Sequence, residues 1–219
     1  MTESLDFKVE GGRKLKGTIA TNFSKNGSVV LICAALLNKG VTRLHGISRI
    51  EEVNRLLEII KSIGVQVSWI DKNSIEIVPP KKFKMNHLDK DAAAKVRSSL
   101  MFIGSLIHHL PHFKLPHAGG CKMGNRTIAA HRYGLEELGV KIVTKESHYE
   151  ISTKKLKPAD IVMYEAGDTA ANNLLMAAAL IPGTTIIRFA PPNYQVQELC
   201  FFLETMGVRI EGIGTTTLT

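Results

Sequence analysis

Three observations predict an α/β domain made of a threefold repeat, with sheets around a group of buried helices. First, a helix that closes on glycine and passes into a β-branched strand occurs three times: Leu57-Glu58-Ile59-Ile60-Lys61-Ser62-Ile63-Gly64-Val65, Leu135-Glu136-Glu137-Leu138-Gly139-Val140 and Leu203-Glu204-Thr205-Met206-Gly207-Val208. Second, the stretches 26–37, 92–107 and 170–180 are apolar nearly all round, which marks helices buried on every side rather than half-exposed ones. Third, short strand-like segments flank each of them, so the pattern returns about every 70 residues.

Taken in order, the first unit opens on the alternating residues 15–20, a strand, and continues through the helix 26–37 and a strand at 40–44. An amphipathic helix then runs to Gly64, where glycine supplies the left-handed stop, and two strands close the unit. The second unit repeats this with a weaker strand at 83–88, the helix 92–107, a strand at 111–115 and the helix ending at Gly139. The third has a strand at 156–163, the helix 170–180, a strand at 183–187 and the helix ending at Gly207. Each unit is a βαβαββ series. With the all-apolar helices inside, the sheets lie outside, the reverse of a fold with a central sheet.

Composition narrows the function classes. The chain has 219 residues, 44% of them apolar and 22% charged, which excludes disorder, collagen and a disulfide-stapled miniprotein. Its longest strongly apolar run, 29–37, is too short to span a bilayer, and the first residues lack the layout of a signal peptide. Three cysteines, Cys33, Cys121 and Cys200, with no CxxC pair point to a reducing compartment, and a cytoplasmic protein is expected. The net charge of +8 attracts anions. Lys81-Lys82-Phe83-Lys84 is the one basic cluster, and with no aromatic-interleaved basic stripe neither nucleic acid nor a membrane is an expected partner.

Chemistry concentrates at three places. In His117-Ala118-Gly119-Gly120-Cys121-Lys122-Met123-Gly124-Asn125-Arg126, a glycine-rich loop brings backbone amides within reach of an anion, and the neighbouring cations favour the Cys121 thiolate. Lys25 stands at a helix start, where the dipole favours negative charge, so an anionic ligand or a surface position would account for it. Asn26 beside it would serve as an N-cap. Arg97 falls inside a helix read as buried, and either pairs with a carboxylate such as Asp91 or leaves the helix toward a ligand. Cys33 and Cys200 read as core residues. His108, His109 and His112 lack metal-ligand spacing, and with no P-loop or dinucleotide motif no metal or cofactor is expected.

Together these residues resemble the UDP-N-acetylglucosamine 1-carboxyvinyltransferases, the enolpyruvyl transferase family of peptidoglycan synthesis. Lys25-Asn26 followed by Ala34-Ala35-Leu36-Leu37 is similar to the family's KN…AALL opening, and Arg97-Ser98-Ser99 to its RAS motif. Residues 119–126, with His131 following, resemble its GGCxIGxRPxxxH loop, and residues 173–180, 183–186 and 212–215 resemble its later blocks. The resemblance implies an inside-out, barrel-like α/β domain of three βαβαββ repeats and transfer of an enolpyruvyl group from phosphoenolpyruvate to the 3-hydroxyl of UDP-N-acetylglucosamine. It implies that Cys121 is the loop acid and the site of fosfomycin alkylation. Lys25, Arg97 and Arg126 would hold phosphoenolpyruvate, Asn26 the sugar, and Thr127 and Ile128 the nucleotide.

The family has two such domains, so the resemblance makes this chain the N-terminal half, expected to be inactive alone and partnered by a C-terminal half. A homo-dimer stays open. Residues 1–20 would pair with the second domain and residues 21–219 form the repeat. Thr127 and Ala129 stand where the family has Pro and Asp. Gly167-Asp168-Thr169 replaces Ser-Val-Gly, and Asn193-Tyr194-Gln195 replaces Glu-Pro-Glu. These departures fit the alternative reading, a non-catalytic or divergent paralogue that keeps the fold as a ligand-binding or assembly module.

Overall fold

The computed structural model describes residues 8–117 and 127–219. Helix α1 (Lys25–Ala34) is started by Ser24, whose Oγ accepts the Gly27 N–H at 3.0 Å, and a 3-10 turn over Ala35–Leu37 ends it. Strand β1 (Thr42–His45) leads into α2 (Glu51–Ser62). That helix carries Glu51 and Glu52 in its first turn and Lys61 in its last, matching the helix dipole, and turns Val53, Leu56, Leu57, Ile59 and Ile60 inward. Gly64, at φ 100°, reverses the chain into β2 (Gln66–Trp69) and β3 (Ser74–Val78).

The second unit contains α3 (Lys90–Lys95), α4 (Phe102–Leu106), β4 (His112–Pro116), α5 (Ala129–Glu137), β5 (Val140–Thr144) and β6 (His148–Thr153). The third contains β7 (Asp160–Val162), α6 (Asp168–Ala178), β8 (Ile186–Arg188), α7 (Tyr194–Thr205) and β9 (Thr217–Leu218). The strand orders are β1-β3-β2, β4-β6-β5 and β7-β8-β9. All pairs are antiparallel except β7 with β8, which are joined through α6 and run parallel. Among the described residues the three sheets stay separate and close no barrel.

The core lies between the sheets. Helix α4 packs on α6, and α1 on α7. Every residue of α4 is buried, as are Val29, Val30, Ile32, Cys33 and Ala34 of α1 and the run from Ala170 to Ala177 of α6. The threefold plan with helices inside and sheets outside is thus present. No helix among the described residues is long and apolar enough to cross a membrane.

Four elements differ from the expectation, one being the strand expected after Gly207, since residues 208–210 form none. The helix expected over 92–107 is interrupted: Val96 is extended (φ −125°, ψ 128°), and a 3-10 segment, Arg97–Met101, separates α3 from α4. An unbroken helix would have carried Arg97 into the core, and the break lets it leave. Residues 15–20 form no strand and are exposed, because no neighbouring strand among the described residues accepts their backbone hydrogen bonds. In the segment 83–88, Phe83 and Leu88 do enter the core, but Met85–His87 between them is a 3-10 turn.

Candidate functional site

Lys25 is the first residue of α1, half-exposed beside the helix amides. Its ammonium pairs with Oε2 of Glu52 in the first turn of α2. The other oxygen of that carboxylate, Oε1, accepts the Ser98 hydroxyl at 2.7 Å. One acid therefore ties the start of α1 to the residue after Arg97, and it offsets the charge that the helix dipole disfavours at Lys25. Asn26 is exposed next to Lys25. The cap itself is Ser24, so Asn26 is not needed for that task.

The break at Val96 sends Arg97 sideways, and its Nη2 donates to the carbonyl of Thr127 at 2.8 Å. Thr127 is exposed, and its Oγ1 accepts the Ala129 N–H at the start of α5. Ile128 is buried in the core, so its side chain offers a ligand no surface. Cys121, Arg126 and the glycines around them lie outside the described residues. Their flanking residues meet the same region. Thr127 accepts from Arg97, and on the other side the His117 ring lies 4.7 Å from that of Tyr149, whose hydroxyl feels the Arg97 charge.

Behind Arg97 sits a buried polar cluster. His131 is only 4% exposed, and its Nδ1 lies 3.1 Å from Nδ2 of Asn173. An amide nitrogen can only donate, so Nδ1 accepts and the imidazole is neutral, with its proton on Nε2 toward Thr169 Oγ1 at 3.5 Å. Asn173 also donates to the Leu100 carbonyl at 3.0 Å and accepts the Gly104 N–H at 2.6 Å. Burial, with Arg97 adding to it, pushes the His131 pKa down to about 4.

Sequence reasoning did not single out Glu52, Ser98 or Asn173. Glu52 reads as an ordinary dipole-matching acid, and Ser98 as part of a motif led by Arg97. Asn173, with Asn172 one of two amides in the apolar stretch of α6, is the one that left a signal, since a buried amide calls for partners.

Two of the three histidines read as unsuited to metal bond backbone carbonyls of the fold: His108 Nε2 meets the Met176 carbonyl at 3.3 Å, and His109 Nε2 that of Leu36 at 2.8 Å, while His112 is exposed on β4. Among the described residues no group of three His, Cys, Asp or Glu side chains stands together. Cys33 and Cys200 are buried, and burial pushes the Cys200 thiol up to about 11 and the Cys33 thiol higher still, so neither is a thiolate at neutral pH.

His131 gives a pH prediction. The unfolded chain binds this proton near pH 6.5 and the folded chain only near pH 4. Between these values the unfolded state holds more protons, so stability falls as pH drops through that window and is unaffected above it. The loss should approach about 3 kcal/mol. Urea unfolding across the window should show a shallower slope for His131→Gln than for the parent chain, and equal slopes would remove His131 as the source.

What the arrangement offers chemically is two cations from different elements linked through one acid: Lys25, beside the amides that start α1, pairs with Glu52, and the same carboxylate bonds Ser98, the neighbour of Arg97. Cations beside free helix amides suit a small, multiply charged anion.

Comparison with known proteins agrees with the fold. The family model for EPSP synthase (3-phosphoshikimate 1-carboxyvinyltransferase) matches residues 9–219. A UDP-N-acetylglucosamine 1-carboxyvinyltransferase from Bradyrhizobium diazoefficiens is 35% identical over 214 residues, covering 98% of this chain and 49% of its own. One from Treponema denticola is also 35% identical over 214 residues, covering 98% and 50%. Among solved structures, the enolpyruvyl transferase NikO from Streptomyces tendae superposes with a TM-score of 0.76 at 19% identity, over 95% of this chain and 48% of that one. EPSP synthase from Acinetobacter baumannii superposes at 0.70 and 18% identity, over 95% and 47%. The chain spans about half the length of the curated relatives it matches.

Proposed function

The chain belongs to the EPSP synthase family of enolpyruvyl transferases, and on that premise we propose that it is one half of a carboxyvinyltransferase acting on phosphoenolpyruvate and UDP-N-acetylglucosamine in the cytoplasm. The names of its 35%-identical relatives support that acceptor. In the reaction an acid protonates the phosphoenolpyruvate methylene while the sugar 3-hydroxyl gives its proton to a base and its oxygen bonds to the adjacent carbon. Loss of a methyl proton then restores the double bond and expels phosphate.

Lys25 and Arg97 hold the phosphate and carboxylate of phosphoenolpyruvate, with Arg126 as the third cation. Cys121 supplies the proton, Asn26 holds the sugar, and Thr127 with Ile128 lines the nucleotide end through the backbone. The support is one observation: Lys25 and Arg97, far apart in sequence, are linked through the single carboxylate of Glu52, which bonds Lys25 and the neighbour of Arg97. Glu52 and Ser98 act on these cations as positioning residues.

A companion half completes the site. Residues 1–20 pair with it and residues 21–219 form the repeat domain. In support, Val9, Leu15 and Ile19 stand 85%, 96% and 89% exposed on a segment without strand partners among the described residues.

The test is phosphate release from phosphoenolpyruvate by the chain combined with the companion half of the Treponema denticola relative. UDP-N-acetylglucosamine should support turnover, shikimate 3-phosphate should not, and the chain alone should be inactive. Release with shikimate 3-phosphate only, or with neither acceptor, would contradict the reading.

A further inference from the structure

Glu198, in the second turn of α7, is an acid that the proposed reaction does not use. Its carboxylate turns toward α1. Oε2 is buried without a hydrogen-bond partner among the described residues, and a Cβ on Gly27 would lie 2.8 Å from Cδ and closer still to Oε2. Gly27, in the first turn of α1, thus leaves the room that this carboxylate fills. Lys25, two residues before Gly27, pairs with Glu52 instead. Burial pushes the Glu198 pKa up, and no cation among the described residues offsets it, so the chain holds this charge at a cost.

Glu198 lines a cavity of about 270 Å³, several times a water's share of about 30 Å³. The other polar side chains of the lining are engaged. Ser24 Oγ accepts the Gly27 N–H, Ser28 Oγ donates to the Ser24 carbonyl at 2.9 Å, and His45 Nδ1 meets Ser74 Oγ at 2.9 Å. Phe23, Leu31 and Ile47 supply apolar wall, and Phe23 is exposed. A hard metal ion needs more oxygens than one carboxylate gives, and no group of three His, Cys, Asp or Glu side chains stands there among the described residues. An unpaired carboxylate beside an apolar wall suits a cation carried on an apolar stem. We infer that this cavity is a binding site for an organic ammonium group, which donates to the Glu198 carboxylate while its carbons lie along Phe23, Leu31 and Ile47. The Phe23 ring adds attraction for the charge, and the ion pair excludes a neutral hydroxyl as an equal ligand. The site consists of this chain's own residues and needs no companion half. Ser24, which lines it, caps the turn that carries Lys25 and Asn26, so the cavity adjoins the turn proposed to hold phosphoenolpyruvate.

Propylammonium chloride is the probe, titrated into the chain by calorimetry and by NMR of the backbone amides, against sodium chloride at the same ionic strength. Saturable binding should shift the Leu31, Gly46 and Ile47 amides, all at the cavity. It should weaken about tenfold or more in Glu198→Gln, which keeps the shape and removes the charge. 1-Propanol, of the same length without the charge, should bind more weakly by a similar factor. The comparison with propanol uses the parent chain, so it holds even where Glu198→Gln folds poorly. Binding undiminished in Glu198→Gln, equal binding of propanol, the same shifts with sodium chloride, shifts confined to other surfaces, or no saturable binding would each overturn the site. None of these outcomes bears on phosphate release, so the function proposed above stands or falls separately.

Discussion

Gly104→Ala should lower the melting temperature of the chain by roughly 6–12 °C, a loss of about 3 kcal/mol. Gly104 lies where α4 crosses α6, and a Cβ there would sit 2.3 Å from the Asn173 carbonyl oxygen and 2.6 Å from its Oδ1. The first of these atoms is backbone in the middle of a buried helix, so it has no rotamer to escape into. The second accepts the Gly104 N–H, so moving it also loosens the Asn173 bridge to Leu100 and His131. Gly11→Ala is the control, since nothing lies within 4 Å of that position. Thermal unfolding of the two variants should separate them clearly. An unchanged melting temperature for Gly104→Ala would mean that the two helices stand further apart than described.

Arg97→Ala should reduce phosphate release by the combined halves by about a hundredfold or more while leaving the melting temperature within about 2 °C. The cause is electrostatic. A donor such as phosphoenolpyruvate, carrying phosphate and carboxylate charges, gains most from a guanidinium held in place beforehand, and Arg97 is so held by the Thr127 carbonyl at 2.8 Å. Its side chain is half-buried at the surface of the repeat rather than part of its core, so truncation costs little packing. A lysine side chain in its place would keep the charge but lose the planar fork, and Arg97→Lys should recover only part of the rate. Steady-state kinetics with phosphoenolpyruvate varied measures this, and an unchanged kcat/KM would remove Arg97 from the site.

The parts of the fold legible in the sequence are those fixed locally. Gly64, Gly139 and Gly207 have φ of 100°, 93° and 93°, and a glycine at a helix end carries that requirement in its identity alone. The buried helices could likewise be read from residues apolar on every face, since no partly exposed helix has that pattern. The break at Val96 escaped because a stretch apolar nearly all round has little periodicity to interrupt. The only sign was an arginine in the wrong place, which the structure explains by bringing it out to Thr127. Residues 15–20 alternate as a strand does, but alternation reports a side-chain pattern and not the neighbour whose backbone makes a strand. Of the candidate site, the cations stood out because each opposed a local preference. Glu52 and Ser98 stayed hidden because each satisfies one: an acid in a first helical turn and a serine in a 3-10 segment look ordinary until their partners across the fold are known.

If cations from separate elements serve one reactive thiol, the thiol's own reactivity should report it. The decisive quantity is the rate at which fosfomycin alkylates Cys121 in the combined halves, followed by intact mass and peptide mapping. Labelling should fall on Cys121 and spare Cys33 and Cys200, slow by about tenfold or more in Lys25→Ala and in Arg97→Ala, and be blocked by phosphoenolpyruvate. Labelling of Cys121 at the parent rate in both variants, or labelling spread over all three thiols, would contradict it.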